Sequence, residues 1–430
     1  MKIAIAGYGI EGEENYRYWS SISGDITIVD EKEEPDRPVP EGAKVLLGEG
    51  SFQQLQDFDL VIRTAGLAPY KIKTDGIIWS STNEFFDKCP APIVGITGTK
   101  GKGTTCTLLA SILKASGRTT HLVGNIGVSA LSILDKVSAE DIVVFEMSSF
   151  QLWDIKKSPG TAVVLQIEAD HLNVHEGMDD YVAAKANIVR HQTTDDAVFY
   201  HPTNRYARQI AEGSVAETKV AFATDEHGSV TVVDDMFVCN NQQICSVDAL
   251  QLLGEHNVEN ACAAISVALH LGCDAEAVEQ GLKDCKGLPH RIEYVGQVDG
   301  VDYYNDSYSS APSATVAAIR AMLQPVVLII GGMDRGADFS TLRSVIRKSA
   351  QIKKILVIGQ IQHKLTSLLR DEGIDNLEEL DASTMTDIVA RAREVADEGD
   401  AILLSPGCAS FDMFMNFTDR GDQFKKAVQA

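Results

Sequence analysis

What this chain lacks narrows the field first. No apolar run approaches the ~18 residues that a membrane-spanning helix requires, so no such helix is expected. The eight cysteines, at positions 89, 106, 239, 245, 262, 273, 285 and 408, form no CxxC pair, and several sit inside apolar helical patterns. They read as reduced core residues, neither a disulfide framework nor a zinc site. Basic residues are scarce: 38 Lys and Arg against 61 Asp and Glu give a net charge of −23, which argues against a nucleic-acid or anionic-membrane partner. An anionic ligand must therefore be held by local positive sites. There is no internal repeat and no low-complexity tract. The chain opens directly on a strand pattern, and a cytoplasmic location is expected.

What is present is a regular alternation of short apolar runs with helical patterns, the mark of parallel α/β layers. A length of 430 residues exceeds what one core usually supports, so roughly two to three domains are expected. Three segments separate. Residues 1–91 carry strand patterns over 2–6, 25–30 and 60–63 and end at a proline-marked linker over 89–92. Residues 92–294 carry strands over 141–146 and 161–167, with a hydroxyl- and acid-rich stretch from 214 to 250 that reads as short strands added to the same sheet. Residues 295–430 carry strands over 326–330, 355–359 and 401–404, each followed by Gly or Pro. In open α/β sheets ligands gather beyond the carboxyl ends of strands, so the polar, glycine-rich residues just past each run matter most.

Residues 93–105, Ile-Val-Gly-Ile-Thr-Gly-Thr-Lys-Gly-Lys-Gly-Thr-Thr, read as a buried strand, a glycine-rich turn and a helix start. Such a turn cradles nucleotide phosphates: backbone N–H groups and the helix N-terminus face the anion, Lys102 adds a point charge, and Thr104 or Thr105 can offer a hydroxyl to Mg²⁺. The match to GxxxxGK[ST] is incomplete, with Ile96 at the first glycine position and Gly103 in place of Ser or Thr. A ligand-free glycine turn remains the competing reading. In the first segment, Gly7-Tyr8-Gly9-Ile10-Glu11-Gly12 fits GxGxxG, and Asp30 closes the second strand where a ribose-binding acid is expected. Taken alone this suggests an NAD(P)-dependent oxidoreductase, but glycines and a helix N-terminus accept any diphosphate, a UDP-linked substrate included.

Nine motifs in order along the whole chain then resemble the Mur ligase superfamily, the ATP-dependent amide-forming enzymes of peptidoglycan precursor synthesis. They are the loop at 98–102, Gly124-Asn-Ile-Gly127, Glu146-Met-Ser-Ser-Phe-Gln151, Asp170-His-Leu-Asn173, Tyr181-Val-Ala-Ala-Lys185, Gly254-Glu-His-Asn-Val-Glu-Asn260, Leu288-Pro-His-Arg-Ile-Glu293, Asn305-Asp-Ser307 and Leu404-Ser-Pro-Gly-Cys-Ala-Ser-Phe-Asp412. Within the superfamily the branch that joins D-glutamate to UDP-N-acetylmuramoyl-L-alanine is the best fit.

The resemblance implies an ATP-dependent acid–amino-acid ligase that works through an acyl phosphate. Its fold would be three α/β domains: a Rossmann-like UDP-substrate domain (1–91), a central P-loop-type ATP/Mg domain with a mostly parallel sheet (92–294) and a Rossmann-like amino-acid domain (295–430) that closes on the others. Carried over residue by residue, ATP would be held by Gly98, Thr99, Lys100, Gly101, Lys102, Gly103, Thr104, Thr105, Asn257, Asn260, His290, Arg291 and Asp306. Thr104 and Glu146 would bind one Mg²⁺ and His171 a second, with Lys185 carbamylated to present an oxygen to that second ion. Lys102, Glu146, His171 and Lys185 would carry the chemistry. Gly9, Ile10, Glu11, Asp30, Glu31, Lys32 and Asn125 would hold the nucleotide-sugar. Arg335, Ser410, Phe411 and Phe417 would hold D-glutamate, and Arg335 is suited to bidentate carboxylate recognition. A monomer is expected.

Bland readings stand beside several of these. Lys185 in a helical pattern is by type a surface lysine, Asn257 a helix cap, and His290 a stacking residue. The chain also departs from the branch pattern: Tyr308-Ser-Ser-Ala-Pro312 replaces Lys-Ala-Thr-Asn, and Glu31-Lys32 replaces Thr-Arg. The loop at 100–104 is similar to that of folylpolyglutamate synthases, but those relatives lack the first domain found here, and their Asp-Gly-Ala-His-Asn-Pro stretch is absent. A relative with another acceptor and a silent Mur-like binding protein are the remaining alternatives.

Overall fold

The computed structural model describes residues 1–382 and 384–430. By contacts the chain forms two compact units: residues 1–250 with 258–285, and residues 251–257 with 286–430.

The first unit contains two parallel sheets. In the first, β1 (Ile3–Ala6), β2 (Ile26–Asp30), β3 (Lys44–Leu47), β4 (Leu60–Arg63) and β5 (Ile77–Ser80) lie in the order β3-β2-β1-β4-β5. β1, β2 and β4 are almost wholly apolar and buried, as strands covered on both faces must be. The helix α1 (Ile10–Ser20) follows β1, and α2 (Ser81–Lys88) follows β5 with Ser80 accepting from the Asn83 amide as its cap.

In the second sheet, β6 (Ile93–Thr97), β7 (Thr120–Gly124), β8 (Ile142–Glu146), β9 (Thr161–Val164), β10 (Ala197–Tyr200) and β11 (Thr218–Ala221) lie in the order β11-β10-β9-β6-β8-β7, all parallel. From β6 the chain passes through α3 to β7 at one edge, returns to β8 beside β6, and then crosses to β9 on the other side of β6, so the end of β6 is a topological switch point, where open α/β sheets bind ligands. The connecting helices are α3 (Lys102–Ala115), α4 (Ser149–Leu152), α5 (Met178–Arg190) and α6 (Arg205–Glu212). Phe85 and Phe86 of α2 pack on Phe145 of β8, so α2 belongs to the core of the second sheet, while the first sheet keeps its own cores.

The stretch 214–250 differs from expectation. Only β11 joins the parallel sheet; β12 (Val230–Val233), β13 (Met236–Cys239) and β14 (Gln242–Ser246) form a separate antiparallel sheet. Tight turns at Asp234-Asp235 and Asn240-Asn241, all at positive φ, keep these strands paired with one another. α7 (Glu255–His270) and α8 (Ala275–Asp284) follow.

The second unit is built on a six-stranded sheet of β15 (Glu293–Val298), β16 (Val301–Asn305), β17 (Val326–Gly331), β18 (Ile352–Ile358), β19 (Leu377–Glu379) and β20 (Ala401–Leu404), in the order β15-β16-β20-β17-β18-β19. Only the β15–β16 pair is antiparallel. A domain cut at 294/295 would fall inside β15; the contacts divide the chain at 285/286 instead. α9 (Pro312–Ala321), α10 (Ser340–Lys348) and α11 (Gln362–Arg370) cover one face, and α12 (Met385–Val395) and α13 (Phe417–Gln429) the other, giving a core on each side. Val326 to Ile330 are completely buried, each side chain contributing about 1.5–3 kcal/mol. Among the described residues no helix is long and apolar enough to cross a membrane, and no disulfide joins the cysteines.

Candidate functional site

The glycine-rich turn leaves β6 and enters α3 as expected. Gly101 caps α3 in the left-handed region (φ 84°), and a Cβ there would lie 2.3 Å from Asn260 Oδ1, so only glycine fits. No side chain caps α3, which leaves its first-turn N–H groups facing outward for an anion. Thr99 braces the turn: its N–H donates to Gln166 O (2.8 Å), and its hydroxyl accepts from the Glu168 amide (2.9 Å) and meets the Tyr181 hydroxyl (2.9 Å). Lys102 Nζ donates to Gly98 O and Thr99 O, both at 3.1 Å, curling over the turn it would share with phosphate. Thr104 and Thr105 are buried in the first turn of α3, and Lys100 forms an exposed ion pair with Glu168 at 3.0 Å.

Lys185 is no surface lysine. It is 1 % exposed, and its Nζ donates to Gly98 O (2.8 Å) and Thr97 Oγ1 (3.3 Å) above the Tyr181 ring. Burial, and next the charge of Lys102, hold its ammonium pKa well below the ordinary lysine value, which favours the neutral, nucleophilic amine. Glu146 closes β8, buried; Oε1 accepts from Asn125 Nδ2 (3.1 Å), while Oε2 has no hydrogen-bond partner. An unpartnered buried carboxylate oxygen is costly, and a cation removes that cost. His171 follows β9 in a left-handed conformation (φ 54°), its half-exposed ring 5.0 Å from Phe150. Among the described residues no three His, Cys, Asp or Glu side chains converge as a ready metal cage.

In the first sheet the glycines serve packing as much as binding: a Cβ on Gly12 would lie 2.1 Å from Gly7 O, so α1 could not approach β1. Asp30 accepts from the Tyr8 amide (2.7 Å) and the Lys32 amide (2.9 Å), bracing the Gly7-Tyr8-Gly9 turn. Glu11 accepts from the Ala65 amide (2.8 Å) and the Ser81 hydroxyl (2.6 Å), and burial raises its pKa. Both carboxylates therefore already hold the loops around the strand ends. Ile10 is exposed at the start of α1 beside Gly9, and Glu31 and Lys32 are exposed past β2, with Lys32 paired to Asp36 at 2.6 Å. Asn125 holds Glu146 rather than standing apart from the metal residues.

On α7, Asn260 Oδ1 meets the Thr105 hydroxyl at 3.4 Å. Asn257 is not the cap of α7: the helix starts two residues earlier, and its Nδ2 donates back to Leu253 O at 2.7 Å.

At the strand ends of the second unit, Asp306 is buried with Oδ2 accepting from Ser405 Oγ (2.6 Å) and Oδ1 from the Ile292 amide (3.2 Å); burial pushes its pKa up to about 6. His290 is buried against Phe417, its pKa lowered by burial. The Arg291 guanidinium lies 5.0 Å over the Tyr308 ring, which meets Phe417 edge-on at 5.1 Å. Tyr308, in place of the expected lysine, thus steadies the remaining cation. Arg335 lies 5.2 Å over exposed Phe411, with Ser410 buried beside it in sequence.

Three residues escaped the sequence reading. Arg63 at the end of β4 is fully buried: it donates through Nε to Asp154 (2.8 Å), through Nη2 to Asp154 and Phe150 O, and through Nη1 to Thr64 O, Ala65 O and Leu67 O. Arg420 is buried on α13 and donates to Ser307 and Cys408 O; burial pushes its pKa down to about 10. His175 is buried between Asp180 and Ser149.

Comparison with known proteins identifies the family. The Mur ligase middle domain family matches residues 96–268, and the Mur ligase glutamate ligase domain family residues 290–408. UDP-N-acetylmuramoylalanine–D-glutamate ligase of Clostridium tetani is 33 % identical over 446 residues, spanning 100 % of this chain and 96 % of the relative. That of Acetivibrio thermocellus is 35 % identical over 454 residues, with the same coverage. Among solved structures, UDP-N-acetylmuramate–alanine ligase MurC of Thermotoga maritima superposes with a TM-score of 0.62 at 17 % identity, covering 100 % of this chain and 99 % of that one. With two matched domains and full-length relatives at this identity, the chain belongs to the Mur ligase family, in the branch whose members are named UDP-N-acetylmuramoylalanine–D-glutamate ligase.

Proposed function

We propose that this chain joins D-glutamate to UDP-N-acetylmuramoyl-L-alanine at the expense of ATP, a cytoplasmic step of peptidoglycan precursor synthesis, and that it works as a monomer. The observation that carries the reading is a phosphate loop at a sheet switch point flanked by a buried lysine amine and a buried carboxylate oxygen without a partner. A dehydrogenase has no use for that pair, and the family membership removes the NAD(P) alternative.

The residues fit Mg²⁺: Thr104 and Glu146 would hold one ion, the orphan Oε2 of Glu146 supplying a hard oxygen. His171 and Lys185 would hold a second, Lys185 after its neutral amine adds CO₂ to give a carbamate and a proton. When bound, the ions neutralise charge as a phosphoryl group approaches a carboxylate.

The chain's own groups set the rest. The Gly98 to Thr105 turn and Lys102 Nζ hold the ATP phosphates in line with the incoming carboxylate, with Asn257, Asn260, His290, Arg291 and Asp306 holding the nucleoside and outer phosphates. The carboxylate oxygen forms its bond to the γ-phosphorus as the bond to ADP breaks, giving the acyl phosphate. The deprotonated amine of D-glutamate then bonds to the acyl carbon, and inorganic phosphate leaves. Arg335, Ser410, Phe411 and Phe417 orient D-glutamate; Gly9, Ile10, Glu11, Asp30, Glu31, Lys32 and Asn125 border the nucleotide-sugar. Glu11 and Asp30 do so through the loops they brace.

Phosphate release from Mg-ATP tests this. Release that requires both UDP-N-acetylmuramoyl-L-alanine and D-glutamate supports the reading. Release with L-glutamate, L-alanine, a diamino acid or a folate would move the chain to another acceptor, and no release with any of them refutes it.

A further inference from the structure

His175 has no part in the reaction above, yet it is the most completely engaged side chain near it. It sits four residues after His171, with its side chain fully buried. Nδ1 is 2.8 Å from Asp180 Oδ2 on α5, and Nε2 is 2.9 Å from Ser149 Oγ at the first residue of α4. The carboxylate fixes the tautomer: Nδ1 carries the hydrogen, so Nε2 accepts from the Ser149 hydroxyl. Asp180 is itself held by the Trp153 indole N–H (3.4 Å) and the Glu176 amide (3.2 Å). Serine, histidine and aspartate in this order form the string used for nucleophilic catalysis, but Ser149 is only 2 % exposed and no substrate can reach its oxygen. The string is a clamp.

What it clamps is the segment carrying His171. The His175 amide donates to His171 O at 3.0 Å, as does the Val174 amide. The Phe150 ring stacks on His175 (5.4 Å, 9° between planes) and also touches His171 at 5.0 Å. His171 is held left-handed, a conformation unfavourable for a non-glycine residue that persists only where the surroundings over-determine it. The clamp supplies that over-determination. It also ties His171 to α4, which starts three residues after Glu146, and to α5, which carries Lys185.

We propose that His175 is a positioning residue for His171, fixing its imidazole for the second metal ion through Ser149 on α4 and Asp180 on α5. The proposal rests on the reading of His171 as a metal ligand. Outer residues that orient a ligand typically govern metal affinity by 10–100-fold.

The test is Mn²⁺ titration followed by electron paramagnetic resonance, on the full chain saturated with a non-hydrolysable ATP analogue in bicarbonate buffer. Wild type is compared with His175→Gln, His175→Ala, Ser149→Ala and His171→Ala. The expected result is that His171→Ala abolishes one of two Mn²⁺ sites, and that His175→Ala and Ser149→Ala weaken the same site about 10–100-fold, His175→Gln less. Metal-free ADP affinity should stay within about twofold of wild type. In the metal-free protein, hydrogen exchange over residues 168–177 should speed up in His175→Ala while that of β6 and β8 stays unchanged. If His171→Ala keeps both sites, the ligand reading fails and the proposal with it. If His171→Ala loses a site while the His175 and Ser149 variants keep it, the proposal alone is overturned. An equal fall of metal-free ADP affinity and metal affinity in His175→Gln and Ser149→Ala overturns it too, since His175 would then be merely structural; these two variants decide if His175→Ala does not fold.

Discussion

Asp306 offers a test in which stability and function move in opposite directions. Its carboxyl is buried, and the loss of hydration outweighs the bonds from Ser309, Ser405 and the Ile292 amide, so its pKa stands at about 6 against 3.8 when exposed. The native state therefore keeps a proton that the unfolded chain has released between these values. The contribution of Asp306 to stability is greatest below pH 3.8 and is lost as pH rises through 6; the full loss is about 3 kcal/mol at 1.36 kcal/mol per unit. About 1 kcal/mol of it falls between pH 5.2 and 8, a range above the isoelectric point of about 4.8. Asp306→Asn keeps the shape and an acceptor for the Ile292 amide but cannot ionise. Allowing about 1 kcal/mol for an imperfect bond to Ser405, the second unit of the variant should gain about 2 kcal/mol at pH 7.5, or about 6 °C. Its stability should also lack the fall between pH 5.2 and 8. Calorimetry can read this, because all three tryptophans (Trp19, Trp79 and Trp153) lie in the first unit and their fluorescence identifies the other transition. The same variant should lose most of its turnover through weaker ATP binding. A variant less stable than wild type at pH 7.5, with an unchanged pH slope, would refute the reasoning.

Three further outcomes follow from the geometry. Asp154→Asn leaves the Arg63 guanidinium buried against a neutral partner and should destabilise the first unit by about 3–5 kcal/mol in urea unfolding followed by tryptophan fluorescence; adding Arg63→Met should recover part of that loss, and a double variant as costly as the sum of the singles would contradict it. Lys102→Ala should lower kcat by about 10²–10³-fold or more in the phosphate-release assay without altering the thermal midpoint of the metal-free protein. Arg335→Ala should raise the KM for D-glutamate by about 10–100-fold while sparing that for ATP, and an unchanged KM for the acceptor would remove Arg335 from the site.

Much of the architecture was legible in the sequence because long apolar runs bounded by glycine or proline leave a strand few alternatives. β1, β6, β8, β17 and β20 all fall where such runs lie. Short strands with mixed exposure, such as Lys44–Leu47 and Ile77–Ser80, carry no such signal. The antiparallel sheet was legible as strands but not as a separate sheet, since alternation says which face is buried and not which strand is the partner. The phosphate loop was visible from glycine spacing after an apolar run. The burial of Lys185 had a readable signal: with Tyr181 and Ile188 it occupies positions i, i+4 and i+7 of one apolar stripe. Arg420 keeps the same spacing with Phe424, Ala427 and Val428. A cation inside an apolar stripe is the pattern to look for. His175 could not be found this way, because its partners come from α4 and α5 and no local period records them.

The buried basic side chains show how so acidic a chain builds the loops at its strand ends. Arg63, Lys185 and Arg420 are among its largest fully buried side chains, and each serves a different sheet. A parallel strand that stops at its carboxyl end hands its last carbonyls to a loop that cannot continue the ladder, and those oxygens must find donors. Arginine brings five N–H groups and no acceptor, lysine three, so one side chain can satisfy several loop carbonyls together. Arg63 takes Thr64 O, Ala65 O and Leu67 O; Lys185 takes Gly98 O; Arg420 takes Ser307 O and Cys408 O. Arg63 is paired with a carboxylate and the amine of Lys185 is favoured neutral, so of the three it is Arg420, resting on carbonyl and hydroxyl oxygens, that leaves a positive potential at its strand ends. In a protein of net charge −23, that placement favours an anion at the loops beside Arg420. All three basic side chains therefore shape the loops at the strand ends, and at Arg420 the group that shapes the loop also sets its field.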